Sequence, residues 1–399
     1  MSRRLPELDG LRGFAILMVL SEHYIAESEH GARGTLSFVL SRIFSLGWSG
    51  VDLFFVFSGF LIGGILLDVR KSPNYVKTFY LRRVHRILPL YYLWLALYLI
   101  AGYAGARWVT PHAPGVFAIS APIAVYIVFC QNFIFAPISL FGTYFVGPTW
   151  SLAVEEQFYL ISPWLVHYLS PRRLAQTLIL CIIFAPLLRA LLLGLPHGHR
   201  VVYFLMPCRA DCLAMGMLAA LAWRTRTRAW LVKNRWHLKV ALAFLLLGAL
   251  AILRWQSNPT RVQEVFQYSW MACLYTCLMM VALLAPESLV ARLSRLRLLR
   301  GWGRISYCVY LIHLAILASC HLVLLRSLPR ISDLPGVFTT ILAVGLTWLV
   351  AQLSWRYFEK PLVDRGHAFK YKPMEVRPVQ GIPAAFKQHL GGSPNLCNS

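Results

Sequence analysis

Acidic residues are scarce in this chain. Sixteen Asp and Glu stand against thirty-nine Lys and Arg over 399 residues, a formal net charge of +23. A basic excess of that size can serve nucleic acid, but no recognition motif and no basic stripe interleaved with aromatics accompanies it. The basic residues lie between hydrophobic runs, where orientation and anionic lipid account for them, so membrane lipid is expected as a partner and nucleic acid is not. Metal-ligand patterns are also missing. Cys208 and Cys212, like Cys273 and Cys277, are four apart, yet no carboxylate or histidine group completes a set, and neither a metal site nor a disulfide is expected. There is no fixed-period repeat and no soluble catalytic domain. The first apolar run has Arg3 and Arg4 before it, Arg12 inside it and no small-residue cleavage site after it, so it reads as a retained anchor.

What is abundant is apolar sequence. Hydrophobic residues make up 58% of the chain and charged ones only 14%, and many runs reach the roughly 20 residues that span a bilayer. The fold class is therefore an all-α polytopic membrane protein. Candidate spans fall at 8–27, 47–67, 84–104, 118–138, 149–169, 176–195, 201–223, 238–254, 264–285, 302–325 and 336–358. Taking 118–138 as non-crossing leaves most Lys and Arg on the cytoplasmic side, whereas letting it cross puts most of them outside. Ten crossing helices are thus expected, with both termini cytoplasmic, in the inner membrane. The Pro- and Gly-punctuated stretch 110–148 is then a re-entrant or interfacial excursion on the outer side, which is tolerated only where it is buried in protein or lines a cavity. Residues 1–362 form the membrane domain, and 363–399 a cytoplasmic, flexible tail.

The few ionisable residues within spans are the candidates for chemistry, because such groups are expensive to place there. In LDGLRGFAILMVLSEHY, Arg12 and His23 are eleven residues apart, about three helical turns, so they share one face about 16 Å apart along the axis. In the expected topology Glu22 and His23, Asp52, Glu155 with Glu156, and Arg209 with Asp211 all reach the outer half, which implies a polar cavity there. At the opposite end FYLRRVHRILPLYY brings Arg82, Arg83 and Arg86 together, and clustered guanidiniums suit phosphate. Each has a plainer reading. The arginines can be a positive-inside flank, Arg12 can snorkel to headgroups, His313 can be a helix–helix hydrogen-bonding partner, and one of Glu155 and Glu156 can simply pair with Arg209. Arg189, with no motif around it, is expected to be structural.

In order along the chain, LDGLRGFAILMVLSEH, GVDLFFVFSGFLI, FYLRRVHRILPLYY, TWSLAVEEQFYLISP, RADCLAMG, GRISYCVYLIH and SWRYFEKPL resemble acyltransferase family 3, integral-membrane O-acyltransferases of bacterial surface glycans and related acceptors. The resemblance covers about residues 5–362. It implies that acetyl-CoA or another acyl-CoA serves as co-substrate from the cytoplasm, with no tightly bound cofactor, and that a carbohydrate or other hydroxyl acceptor is met on the outer side. It also implies that Arg83 and Arg86, helped by Arg82, hold the CoA phosphates, that Arg12 is the motif arginine and that His23 is the catalytic histidine. The esterase-like domain fused to some members has no counterpart here, which implies direct delivery to the acceptor.

The residue types fit that chemistry. Transfer from a thioester to an alcohol needs a base for the hydroxyl proton, and a neutral imidazole suits it. Glu22, Asp52, Glu155 or Glu156 can orient the imidazole, and Arg209 or Arg12 can stabilise oxyanion charge. Direct transfer with His23 as base competes with an acyl-enzyme on His23, Ser58 or Ser151. Outside transfer chemistry, the same buried groups also suit a transporter relay, or an acyl carrier feeding a separate enzyme.

Overall fold

In a bilayer only a helix or a closed barrel pairs all its own backbone groups, and every regular element among the described residues is helical. The structure is a computed structural model and describes residues 5–28, 36–108, 121–136, 144–256 and 259–372. Helix α1 (Pro6–Ser21) runs into a π-helical turn (Glu22–Ala26). Then come α2 (Leu36–Phe44), α3 (Gly50–Val69), α4 (Tyr75–Trp108), α5 (Ile123–Ile127), α6 (Gln131–Phe135), α7 (Thr149–Tyr168), α8 (Pro171–Leu192), α9 (Gly198–Phe204) and α10 (Met206–Trp223). The chain continues through α11 (Arg226–Lys233), α12 (Arg235–Trp255), α13 (Arg261–Leu284), α14 (Leu289–Ser294), α15 (Arg297–Leu325) and α16 (Leu334–Ser354), and a second π-helical turn (Trp355–Glu359) leads into α17 (Lys360–Ala368).

Among the described residues, eight stretches are long and apolar enough to cross a membrane. The two other expected spans, α1 and α7, carry Glu7, Asp9 and Arg12 or Glu155 and Glu156 in their length, and both pack within the protein: Ala15, Ile16, Ala153 and Val154 are fully buried. Helices α8, α12 and α16 instead expose apolar side chains such as Leu187, Leu191, Phe244, Leu247, Phe338 and Ile341, the surface expected against lipid.

Two parallel helix pairs form the centre, each joined where glycine removes the side chain from the contact. A Cβ on Gly13 would stand 1.8 Å from the Leu299 carbonyl oxygen, and one on Gly303 1.8 Å from that of Asp9, so α1 and α15 touch backbone to backbone. Gly59 and Gly216 do the same for α3 and α10, where added Cβ atoms would lie 2.0 Å from the carbonyl oxygens of Leu213 and Val56. If α1 and α7 cross with the other eight and 121–136 does not, alternate crossing makes both pairs parallel, as found.

The stretch 121–136 is broken rather than one continuous helix. Helices α5 and α6 are separated by Phe129 at φ 56. Side chains satisfy carbonyls around the break: Tyr91 donates to Tyr126 O at 2.8 Å, Tyr92 to Ile127 O at 3.1 Å and Gln157 to Phe129 O at 2.9 Å. Unpaired backbone inside a membrane is thereby avoided. Residues 110–120 and 137–143 of the expected excursion lie outside the described residues. Of the expected tail, 363–368 belong to α17 and 369–372 dock on α4, while 373–399 lie outside the described residues.

Glycine substitutions test the seam. Gly301→Ala meets nothing within 4 Å and should leave stability unchanged or raise it by up to about 1 kcal/mol. Gly303→Ala forces two backbones apart and should cost about 1–3 kcal/mol or more, read as a lower thermal midpoint of the detergent-purified protein. Equal midpoints for the two variants would contradict the close contact.

Candidate functional site

The ionisable side chains gather in three places. The first is a cavity of about 190 Å³ between α1, α3, α4, α7 and α15, whose polar lining includes Arg12, Ser58, Arg83, Arg86, Glu155 and Tyr159. Phe54, Phe57, Leu61 and Ile65 give it an apolar wall. Arg12 Nη2 donates to Ser306 Oγ at 3.1 Å, and the Arg83 guanidinium stands 5.8 Å from the rings of Phe79 and Tyr159. Glu155 is satisfied by hydroxyls: Ser58 donates to Oε1 at 2.7 Å and Tyr159 to Oε2 at 2.9 Å. No ion pair among the described residues engages Arg12, Arg83 or Arg86. The cavity therefore keeps net positive charge beside a carboxylate already occupied by neutral donors. Glu156, one residue round the helix, is not among the lining; its Oε1 is buried without a hydrogen-bond partner, within electrostatic reach of Arg83. Arg82 turns away from the cavity, donating from Nε to Phe369 O at 2.8 Å and lying 4.7 Å over the Tyr371 ring. Burial pushes the Tyr371 phenol up, against the opposite pull of Arg82 and Arg83.

The second place is a histidine pair. His23 lies in the π-helical turn, a distortion common at functional sites. Its Nδ1 is 2.9 Å from Val19 O and 3.2 Å from His313 Nε2, while His313 Nδ1 is 2.8 Å from Tyr310 O. A carbonyl only accepts, so in the neutral pair both Nδ1 atoms carry the proton and His313 Nε2 accepts from His23. That leaves the lone pair of His23 on Nε2, with Glu27 Oε2 4.0 Å away. His313 is fully buried, whereas the His23 side chain is 23% exposed. Tyr24 fixes the neighbouring backbone, donating to His313 O at 2.9 Å. Between cavity and pair stands Tyr310, which lines the cavity and shares a 2.6 Å hydrogen bond with Ser151.

The third place is an ionic cluster along α3, α8, α10 and α13. Arg209 pairs with Asp52 and Arg189 with Asp211, and all four side chains are fully buried. Ser269 donates to Asp211 Oδ2 at 2.6 Å, Arg189 Nε to Val265 O at 2.7 Å, and the Arg209 guanidinium lies 4.0 Å over the Tyr268 ring. The partner of Arg209 is thus Asp52 rather than Glu155 or Glu156, because the α3–α10 seam brings Asp52 to it. Arg189, expected to be structural, is held by Asp211, Ser269 and the carbonyls of Val265 and Cys208. None of these four lines the cavity or touches the histidines.

Three residues stand at these places without having been singled out in the sequence. Tyr159 follows Glu155 by four and Tyr310 precedes His313 by three, spacings that put each pair on one helix face. Glu359, inside SWRYFEKPL, is 5% exposed, accepts from Ser354 at 2.9 Å and lies within electrostatic reach of Arg86 and Arg12.

Comparison with known proteins follows this geometry. Residues 5–356 match the family model described as an acyltransferase domain. The chain is 27% identical over 387 residues to "O-acetyltransferase OatA" of Staphylococcus aureus, covering 93% of this chain and 59% of that protein. It is 28% identical over 385 residues to "Putative peptidoglycan O-acetyltransferase YrhL" of Bacillus subtilis, covering 91% and 56%, and 27% identical over 383 residues to "Peptidoglycan O-acetyltransferase OatA" of Listeria monocytogenes, covering 92% and 57%. The chain thus spans less than three-fifths of the length of these relatives. No solved structure matches it.

Breaking the ionic cluster on one side should be costly, since it strands a buried charge. Asp52→Ala is expected to lose about 3–5 kcal/mol, and the double variant Asp52→Leu with Arg209→Met to recover most of it. Thermal unfolding in detergent reads both; a double variant no more stable than the single one would contradict a purely structural pair.

Proposed function

The chain belongs to the acyltransferase-domain family, and from that premise we propose that it is a membrane O-acyltransferase. It moves an acyl group, acetyl in the first instance, from acyl-CoA to a hydroxyl of a cell-envelope glycan. The names of the relatives point to peptidoglycan as the acceptor. The observation that carries the reading is the cavity where Arg12, Arg83 and Arg86 stand without carboxylate partners, with His23 on the same helix as Arg12. Arginines left free of carboxylates suit phosphates, and the apolar wall suits a pantetheine arm and its acyl group. The arginine end faces the cytoplasm in this reading, the inner membrane is the site of action, and acyl-CoA is a co-substrate rather than a resident cofactor.

In the proposed reaction the acceptor oxygen attacks the thioester carbonyl carbon while His23 Nε2 takes the hydroxyl proton. The tetrahedral intermediate expels the CoA sulfur, the imidazolium returns the proton to it, and an ester and free CoA result. His313 holds His23 in the tautomer that leaves Nε2 basic, and Glu27 lies where it can stabilise the charged ring. Membrane vesicles given radiolabelled acetyl-CoA test this. Label should enter glycan or lipid-linked sugar and fall by at least about a hundredfold in His23→Ala, the usual scale of lost base catalysis. Arg83→Ala and Arg86→Ala should raise the Kd for CoA with acceptor use unchanged. Coupled solute uptake without label transfer would favour the transporter reading instead.

A second reading rests on Ser58, whose hydroxyl in the same cavity is hydrogen-bonded to a carboxylate. Here Ser58 attacks the thioester carbonyl carbon while Glu155 receives its proton and passes it to the departing CoA sulfur; the acceptor hydroxyl then attacks the acyl-serine, and its proton returns through Glu155 to Ser58 as the ester leaves. This reading expects hydroxylamine-sensitive label on the purified protein that Ser58→Ala abolishes. Full activity in Ser58→Ala excludes it.

A further inference from the structure

Where α17 ends, residues 369–372 turn back over the start of α4. Ser72 donates to Lys372 O at 2.8 Å, Asn74 Nδ2 to Lys370 O at 2.9 Å and Lys372 N to Asn74 Oδ1 at 2.9 Å, while Arg82 Nε holds Phe369 O. Gly366 lets α17 come this close, since a Cβ there would lie 3.0 Å from that of His85. The docked strap carries Tyr371 onto the arginines. Its ring lies under the Arg82 guanidinium, and its hydroxyl is buried with no hydrogen-bond partner among the described residues; Arg83 Nε, within electrostatic reach of it, is in the same condition.

The charges around these two donors are lopsided. Lys370 and Lys372 are exposed on the strap, and α17 adds Lys360, Arg365 and His367 against Asp364 alone. They meet Arg82, Arg83 and Arg86, against Glu156 within reach of Arg83 and Glu359 within reach of Arg86. A cationic strap pinned onto a cationic helix is self-repelling, and two buried donors left without acceptors are costly. Both are relieved by an anion with several acceptor oxygens.

We propose that Phe369–Lys372, Arg82 and Arg83 form a phosphate-binding site in which the Tyr371 hydroxyl and the Arg83 guanidinium donate to one phosphate. It rests on the reading that these arginines hold the acyl donor, and it makes the strap part of the donor site. The phosphate belongs to CoA or to an anionic lipid headgroup, and one experiment separates the two. CoA binding is measured on the full chain in nanodiscs of phosphatidylcholine alone and with phosphatidylglycerol, for the wild type, Tyr371→Phe and Arg83→Ala.

Loss of one hydrogen bond to a charged group should weaken CoA binding about tenfold in Tyr371→Phe, with Arg83→Ala weaker still, in both lipids. Unchanged CoA affinity in Tyr371→Phe, with fewer phosphatidylglycerol molecules retained in native mass spectrometry, assigns the phosphate to lipid. If Tyr371→Phe alters neither ligand while Arg83→Ala weakens CoA, the strap site is wrong and the donor reading stands. If neither variant alters either ligand, both fall. Thermal midpoints within a degree or two of the wild type exclude misfolding of Tyr371→Phe as the cause.

Discussion

The contact between Gly13 and Gly303 sets the geometry on which the site depends. With no side chain between them, α1 and α15 run parallel at backbone distance, and their register cannot slip without a collision. His23 and His313 lie 290 positions apart in the chain, the same offset as Gly13 and Gly303, so the register fixed at the glycines carries unchanged over ten residues to the imidazoles. Arg12 meets Ser306 at an offset of 294. It reaches one turn beyond its own level, about 6 Å along the axis, a span that its long side chain covers. One seam thus sets both the position of a guanidinium at the cavity and the pairing of two histidines beyond it.

The second seam works on the same principle with a different outcome. Asp52 and Arg209 are offset by 157, Asp68 and Arg224 by 156, so α3 and α10 stay in register from one ion pair to the other around Gly59 and Gly216. Asp52 and Asp211 are consumed in neutralising Arg209 and Arg189 where no water reaches. That frees α3 to present Ser58 on another face, toward Glu155 of α7. The buried ion pairs are weak evidence for stability but good evidence for register, since each partner tolerates few alternatives.

Much of this was legible in the sequence because it is local. Helix positions follow from apolar runs, and the approach of Arg83 and Arg86 from a three-residue spacing. What was not legible depends on register between distant helices. Nothing near Arg209 says that its partner is Asp52 rather than Glu155, because the choice is made by glycines on two helices more than a hundred residues apart. Composition also misleads after residue 362. The stretch reads as a polar, flexible tail, yet residues 363–368 belong to α17 and the strap that carries Tyr371 is held by the Ser72 and Asn74 side chains on its backbone, which no hydropathy pattern records.

The contrast between the two arginine groups narrows what the cavity can be for. Buried guanidiniums in a membrane protein are normally matched by carboxylates, and Arg189 and Arg209 obey. Around the cavity carboxylates are present, yet Glu155 is bound by Ser58 and Tyr159, and Arg12 by a serine hydroxyl. Were the arginines there only to hold helices together, pairing them with Glu155 would be the cheaper arrangement, and the helices already place it among the same lining side chains. The chain instead satisfies Glu155 with neutral donors, and among the described residues no ion pair reaches Arg12, Arg83 or Arg86. Positive charge in a low-dielectric cavity is costly without an anion, and in the proposed function that cost favours binding of the phosphate-bearing donor.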